Sequence, residues 1–247
     1  PADPLAAGYH ASFLLDADSD EVYLVKDADP FAGITPQVVD TAAFVHQVPD
    51  ISYGADGYAC AIDPTDPNIV YVLYQNFVGS DYDIYAQRFN TGGVKIGAET
   101  RINTTTAYAQ TYPAITALTD GGYVVTWRSF LQDGSGYGIY TQRYDLNGVV
   151  QGVETRINTT TTNDQSAPSI TTLADGSYVV TWMSYSQDAV NAYGIYAQRY
   201  GANGTALGAE IQANTTAVND QSYPSIAVLA DGGYVVTWQS NLQDGSG

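Results

Sequence analysis

The sequence predicts an all-β fold, a β-propeller of four-stranded antiparallel blades with about 55 residues in each. Three observations carry that prediction. The segment GGYVVTW at 121–127 returns as GSYVVTW at 176–182 and as GGYVVTW at 232–238, with its tryptophans 55 and then 56 residues apart. The segment IYAQRF at 84–89 returns as IYTQRY at 139–144 and IYAQRY at 195–200. Between these β-branched and aromatic runs stand Asp-Gly and Asn-Gly pairs, at 120–121, 147–148, 175–176, 203–204 and 231–232. Such pairs accept the positive φ that tight hairpin turns require.

Taken in order, HASFLLDADSDEVYLVKDAD reads as strand, polar turn at Asp16 to Asp20, and strand. ITPQVVDTAAFVHQV adds two short strands, and GYACAIDPTDPNIVYVLYQ (57–75) forms a hairpin through Pro64 to Asn68. Tyr74 stands there where Trp127 stands later. The plain repeat then begins. Strand a follows Pro113, Pro168 or Pro224, strand b is YVVTW, strand c is IYAQR(Y/F), and strand d is ETRIN or EIQAN. Within strand b, Tyr123, Val125 and Trp127 share one face and Val124 and Thr126 the other. Both faces are largely apolar, which suits a sheet packed between two neighbours. A β-sandwich needs roughly 100 residues per unit and does not fit the period.

The blade units are therefore 9–55 (divergent), 56–112, 113–167, 168–223 and a half blade 224–247, all in one propeller. The last unit breaks off inside its b–c loop. The expectation is a piece of a larger propeller continuing past Gly247, or else closure of the half blade by residues His10 to Lys26.

Composition limits function. With 26 Asp and Glu against 8 Lys and Arg, the chain carries a net charge of −18. That sign repels nucleic acid and anionic lipid and suits cations, calcium above all. Cys60 is the single cysteine, so there is no disulfide framework, and it reads as a structural thiol in the strand-like run YACAI. No run has the length of a membrane-spanning helix. An exported bacterial protein, secreted or at the cell surface, fits these features.

The repeat DGGYVVTWxSxxQDGSGYGIYxQRYDxNG, followed by GxExxINT, resembles tandem repeats of large secreted bacterial proteins of the RTX (repeats-in-toxin) type. The likeness covers residues 84–247 and implies type I secretion and an adhesin or hemolysin-like role. Their calcium-binding nonapeptide GGxGxDxUx is missing here, so calcium does not follow from the resemblance. The hairpin AIDPTDPNIVYV separately resembles the opening strands of Asp-box blades in sialidase-like enzymes, although the Asp-box itself is absent.

Several candidate sites emerge. Asp16, Asp18 and Asp20 alternate as calcium ligands do, although an EF-type loop would place Gly where Glu21 stands; the plainer reading is a solvated hairpin turn. Gln132-Asp133, Gln187-Asp188 and Gln243-Asp244 recur in the b–c loops and form a ring on one face. With Tyr137 and Tyr193 as stacking surfaces they are candidates for a glycan or ion site; the plainer reading is that they shape the loop. Arg88, Arg143 and Arg199 occupy equivalent strand c positions and read as structural rather than as a sialidase cluster. Asn103, Asn158 and Asn214 each open a formal glycosylation sequon, and in a bacterial chain read as strand ends.

No HExxH, GxSxG or phosphate loop occurs, His10 and His46 lie outside the recurring blades, and three of the four glutamates copy one strand position. These features predict a non-catalytic extracellular propeller for binding, adhesion or assembly. Its partners would be a glycan, a cell-surface or matrix protein, or another copy of itself, with no nucleic acid and no membrane insertion. The alternative is the propeller of a glycan-active enzyme, sialidase-like or a glycoside hydrolase. If the DADSDE turn binds calcium, millimolar calcium raises the melting temperature and Asp18→Ala abolishes that rise; no rise in the unsubstituted protein identifies a plain turn.

Overall fold

The computed structural model describes residues 11–16, 21–26, 58–63, 66, 69–90 and 94–241. Among these residues are sixteen strands: β1 (Ala11–Asp16), β2 (Glu21–Lys26), β3 (Tyr58–Ile62), β4 (Ile69–Val78), β5 (Asp81–Asn90), β6 (Lys95–Arg101), β7 (Gln110–Ala117), β8 (Tyr123–Phe130), β9 (Tyr137–Tyr144), β10 (Val150–Arg156), β11 (Gln165–Thr172), β12 (Tyr178–Tyr185), β13 (Tyr193–Tyr200), β14 (Ile211–Gln212), β15 (Gln221–Val228) and β16 (Tyr234–Ser240). They form three four-stranded antiparallel sheets, β3–β6, β7–β10 and β11–β14, with two-stranded sheets β1–β2 and β15–β16. This is the predicted propeller architecture. The first strands of consecutive sheets, β3, β7, β11 and β15, neighbour one another and form the inner layer. We call the sheets β3–β6, β7–β10, β11–β14 and β15–β16 the first to fourth blades.

The Asp-Gly turns form as their chemistry dictates. In the β7–β8 turn Gly121 N donates to Leu118 O and Leu118 N to Gly122 O, with Gly121 at φ 84°. The β9–β10 turn repeats this with Gly148 at φ 78°. Both are type I turns closed by a residue in the left-handed region, a three-residue hairpin.

Strand a differs from the prediction. It starts at Gln110, Gln165 and Gln221, three residues before each proline. The proline does not bound the strand because a bulge accommodates it. The pairing register slips between Thr111 and Ala114, Ser166 and Ser169, and Ser222 and Ser225. Just before each proline, Tyr112, Ala167 and Tyr223 take positive φ of 56°, 49° and 51°. The extra residue leaves the ladder, which is where a strand tolerates the missing N–H of proline.

Blade packing buries both faces of strand b. Val124, Val125 and Trp127 are fully buried, as are Val179, Val180 and Trp182. Two mixed clusters fill the gaps between blades. One joins Tyr71, Leu73 and Ile84 of the first blade to Val125 and Trp127 of the second, and the other joins Val124 and Ile139 to Val180 and Trp182. Trp238, expected to be equally buried, is only half-buried, and Val235 is 41% exposed. Its strand has the same YVVTW sequence but, among the described residues, only β15 beside it. Trp127→Ala should cost about 3–5 kcal/mol in urea unfolding, the range for a core tryptophan, and Trp238→Ala clearly less; equal losses would show that the tryptophans do not depend on the neighbouring blade.

Candidate functional site

The recurring polar residues are built into a frame. At the exit of each outer strand an asparagine is buried: Asn103, Asn158 and Asn214. Each Oδ1 accepts the backbone N–H of the facing strand c residue, Ile84, Ile139 or Ile195, at 2.7 Å. Each Nδ2 donates to the carbonyl two residues on and to a carboxylate. That carboxylate is Asp83 at 2.6 Å in the first blade, Asp133 at 3.4 Å in the second and Asp188 at 3.0 Å in the third. A buried amide so occupied is not a glycan acceptor, so these sequons serve the backbone.

The carboxylate reaches the asparagine by two routes. Asp83 lies directly before Ile84, in the place of Gly138 and Gly194. In the later blades the b–c loop is longer, and Asp133 and Asp188 fold back over those glycines. A Cβ on Gly138 would meet Asp133 Oδ2 at 2.6 Å, and one on Gly194 would meet Asp188 Oδ1 at 2.4 Å.

The preceding glutamines tie the loop to strand d. Gln132 Nε2 donates to Glu154 at 2.5 Å and Gln187 Nε2 to Glu210 at 2.6 Å. The second oxygen of each glutamate reaches the neighbouring linker. Glu154 Oε2 accepts from Thr104 N and Oγ1, and Glu210 Oε2 from Thr159 N and Oγ1. Gln132, Asp133, Gln187 and Asp188 thus sit in equivalent places on one end of the propeller, each engaged in this frame. Gln243 and Asp244 lie outside the described residues, as do Asp18 and Asp20. Asp16 ends β1 opposite Glu21. No group of three or more His, Cys, Asp or Glu suited to a metal ion occurs among the described residues.

Strand c arginines point to the opposite end, toward the a–b and c–d turns. Arg143 lies 4.0 Å from Asp120 and Arg199 2.5 Å from Asp175, while Arg88 donates to Leu146 O. Hydrogen bonds from Ser177, with Arg199 beside it, hold the Asp175 carboxyl below its usual range. Burial pushes the Cys60 thiol up to about 12, so it is not a thiolate at neutral pH.

What remains on the loop end is an arc of side chains at the start of the inner strands. Arg128 lies between two rings, 4.0 Å from the Tyr112 centroid and 4.1 Å from that of Tyr137. Its Nε donates to Thr111 Oγ1 at 2.9 Å and its Nη1 to Ser166 Oγ of the next inner strand at 2.8 Å. Tyr137 N donates to Asp164 Oδ1 at 3.0 Å, and Tyr185 N to Asp164 O at 2.9 Å. The Tyr185 ring lies 5.0 Å from that of Tyr193, and Tyr193 N donates to Asp220 Oδ1 at 3.1 Å. Asp164 and Asp220 each stand one residue before an inner strand. The Tyr193 phenol registers the arc electrically. Burial raises its pKa first, the carboxylates of Asp164 and Asp220 and the Tyr185 hydroxyl raise it further, and Arg128 opposes them.

Tyr137 and Tyr193 are among the residues that the sequence offers as candidates; Arg128, Asp164 and Asp220 are not. A signal existed for Arg128: it is the only arginine without a repeat counterpart. Gln75, Met183 and Gln239 hold its place in the other blades.

No protein-family profile matches the chain, and no curated protein does. Solved structures do. The chain is similar to the endo-arabinase from Bacteroides thetaiotaomicron VPI-5482, at TM-score 0.52 and 12% identity over 96% of this chain and 91% of that one. It is similar to the α-L-arabinanase of Penicillium chrysogenum complexed with arabinobiose (0.54, 13%, 90% and 68%). The GH93 α-L-arabinofuranosidase of Fusarium graminearum, also with arabinobiose, gives 0.53 and 13% over 92% and 65%. At these identities the likeness establishes the fold. The expectation of a non-catalytic propeller for binding or adhesion is corrected to this extent: these three neighbours are named as arabinan-directed enzymes, which favours the glycan-active alternative over it. Nucleophile and metal motifs are missing from the sequence, but a pair of carboxylates does not need them.

The frame has a measurable consequence. Asn158→Ala leaves the Ile139 N–H and the Thr160 carbonyl without their buried partner, at about 1–3 kcal/mol for each group. Chemical denaturation should show that loss; a change under 0.5 kcal/mol would mean that water replaces the amide freely.

Proposed function

We propose that the chain is the propeller of a glycan-active enzyme of the glycoside hydrolase kind, with Asp164 and Asp220 as its carboxylate pair. The observation that carries this reading is the arc itself. Two half-buried aspartates open adjacent inner strands, and tyrosine rings and a guanidinium lie between and beside them on one end of the propeller. Enzymes that cleave glycosidic bonds with two carboxyl groups use one to protonate the departing oxygen. The other activates water or attacks the anomeric carbon. In each aspartate Oδ1 accepts a backbone N–H, which fixes the carboxylate plane and leaves Oδ2 for that chemistry. Tyrosine rings are suitable platforms for the apolar faces of sugars.

The glutamates of the repeat do not compete for this role, because Glu154 and Glu210 are engaged between outer strand and linker. The arabinan-directed names of the similar enzymes make arabino-oligosaccharides the first substrates to try. An exported bacterial location suits both a polysaccharide substrate and a chain with one cysteine and a net charge of −18.

Reducing-sugar release from arabino-oligosaccharides tests the reading. Asp164→Asn and Asp220→Asn keep an oxygen for the backbone N–H, so the fold should persist while kcat falls about 10²–10⁴-fold in each. Unreduced activity in both variants, or a wild type inactive on arabinose-, xylose- and uronate-based oligosaccharides alike, would overturn it.

A further inference from the structure

Arg128 carries more chemistry than the frame requires. The equivalent places in the other blades hold the neutral Gln75, Met183 and Gln239, so a charge there is not needed to build a blade. Three other arginines have carboxylates within ion-pair reach: Arg101 with Asp83, Arg143 with Asp120 and Arg199 with Asp175. Arg88 and Arg156 donate to backbone carbonyls instead, and Arg128 has neither a carboxylate nor a carbonyl among the described residues. Its partners among the described residues are two rings and two hydroxyls.

Those partners fix the guanidinium in position. Two rings lie within about 4 Å of its Cζ, 4.0 Å for Tyr112 and 4.1 Å for Tyr137, and Nε and Nη1 are anchored on Thr111 and Ser166. The amino group Nη2 has no partner among the described residues. A guanidinium held rigidly and lacking a counter-ion is organised for a planar anion, above all a carboxylate. A neutral sugar would be served by an amide such as the glutamine of two other blades.

We propose that Arg128 determines specificity for a glycan bearing a carboxylate, a uronic acid residue, bound beside the Asp164–Asp220 pair. The proposal rests on the glycan-active reading of that site. The net charge of −18 does not forbid it. At physiological ionic strength the field of distant carboxylates is screened over about 8 Å, and a contact with Arg128 is shorter than that. The same screening weakens the contact itself as salt rises, so uronate binding should be salt-sensitive and neutral-sugar binding should not.

Calorimetric titration with an oligogalacturonate and an arabino-oligosaccharide of equal length tests this. Wild type should prefer the uronate. Arg128→Gln, which installs the residue of two other blades, should lower the uronate-to-arabinose affinity ratio by about 10- to 100-fold, the worth of a hydrogen bond to a charged group. Arg128→Lys keeps the charge without the fork and should fall between. A melting curve for each variant separates loss of binding from loss of fold, and Arg128→Met, matching Met183, provides a second neutral variant. An unchanged ratio in folded Gln and Met variants, or a wild type that binds only the neutral oligosaccharide, overturns the proposal. Arg128-dependent uronate binding without cleavage of any glycan would instead uphold the subsite and remove the enzymatic reading.

Discussion

Where the outer strand of one blade gives way to the linker of the next, the backbone would be left with unpaired groups in a buried place. One asparagine side chain answers this in every complete blade. Its oxygen takes the strand c N–H, and its nitrogen takes the linker carbonyl and a carboxylate. The carboxylate orients the amide, since only the NH₂ side can face it. The chain arrives at this pair from different sequence positions, Asp83 in one blade and the loop residues Asp133 and Asp188 in two others. A contact rebuilt from another position is one the architecture needs. It fixes the direction of the linker, and the linker delivers the residue that opens the next inner strand. Asp164 and Asp220 owe their places to it.

Repetition alone makes equivalent surroundings, and chemistry on a glycosidic bond needs two carboxyl groups in different roles. The glycan-active reading proposed for the arc asks for both. Asp164 and Asp220 are the same position of the repeat, braced by the same kind of backbone bond. Their surroundings differ because the blades do. Next to Asp164 lies Tyr137 with the Arg128 guanidinium against its ring, whereas Met183 takes the arginine's place in the following blade. The linker before the second blade has Ala109 instead of an aspartate. Asymmetry has thus been introduced by single substitutions in a frame that stays symmetric.

Most of the architecture was legible because it obeys local rules. Strand b announced itself through β-branched and aromatic residues, and the Asp-Gly and Asn-Gly pairs formed the turns their φ preferences demand. The start of strand a was misplaced because proline usually ends a ladder. Here a left-handed residue in front of it pushes the proline into a bulge, a tertiary solution with no local signature in Tyr112, Ala167 and Tyr223. The hydrogen bonds of the b–c loop residues run to strand d and the next linker, 22 to 26 positions away in sequence, which no local pattern announces. The site was the least legible part. Attention to what recurs selects the frame, and Arg128 is significant because it does not recur.

The fourth blade shows how far local sequence leaves burial undecided. Tyr234 to Trp238 copies a segment that is fully covered in two other blades, yet here its side chains alternate between half-buried and exposed. Each blade lends its neighbour half of the neighbour's core, so stability is a sum over interfaces as in other repeat folds. This bears on the site. Asp220 sits on the linker into β15, and its carbonyl accepts the N–H of Asn241 just beyond β16. Asp164, in contrast, lies between two complete four-stranded blades. One carboxylate of the pair is therefore held by a finished frame. The position of the other depends on whatever packs against β15 and β16, which ties the geometry of the arc to the packing of the fourth blade.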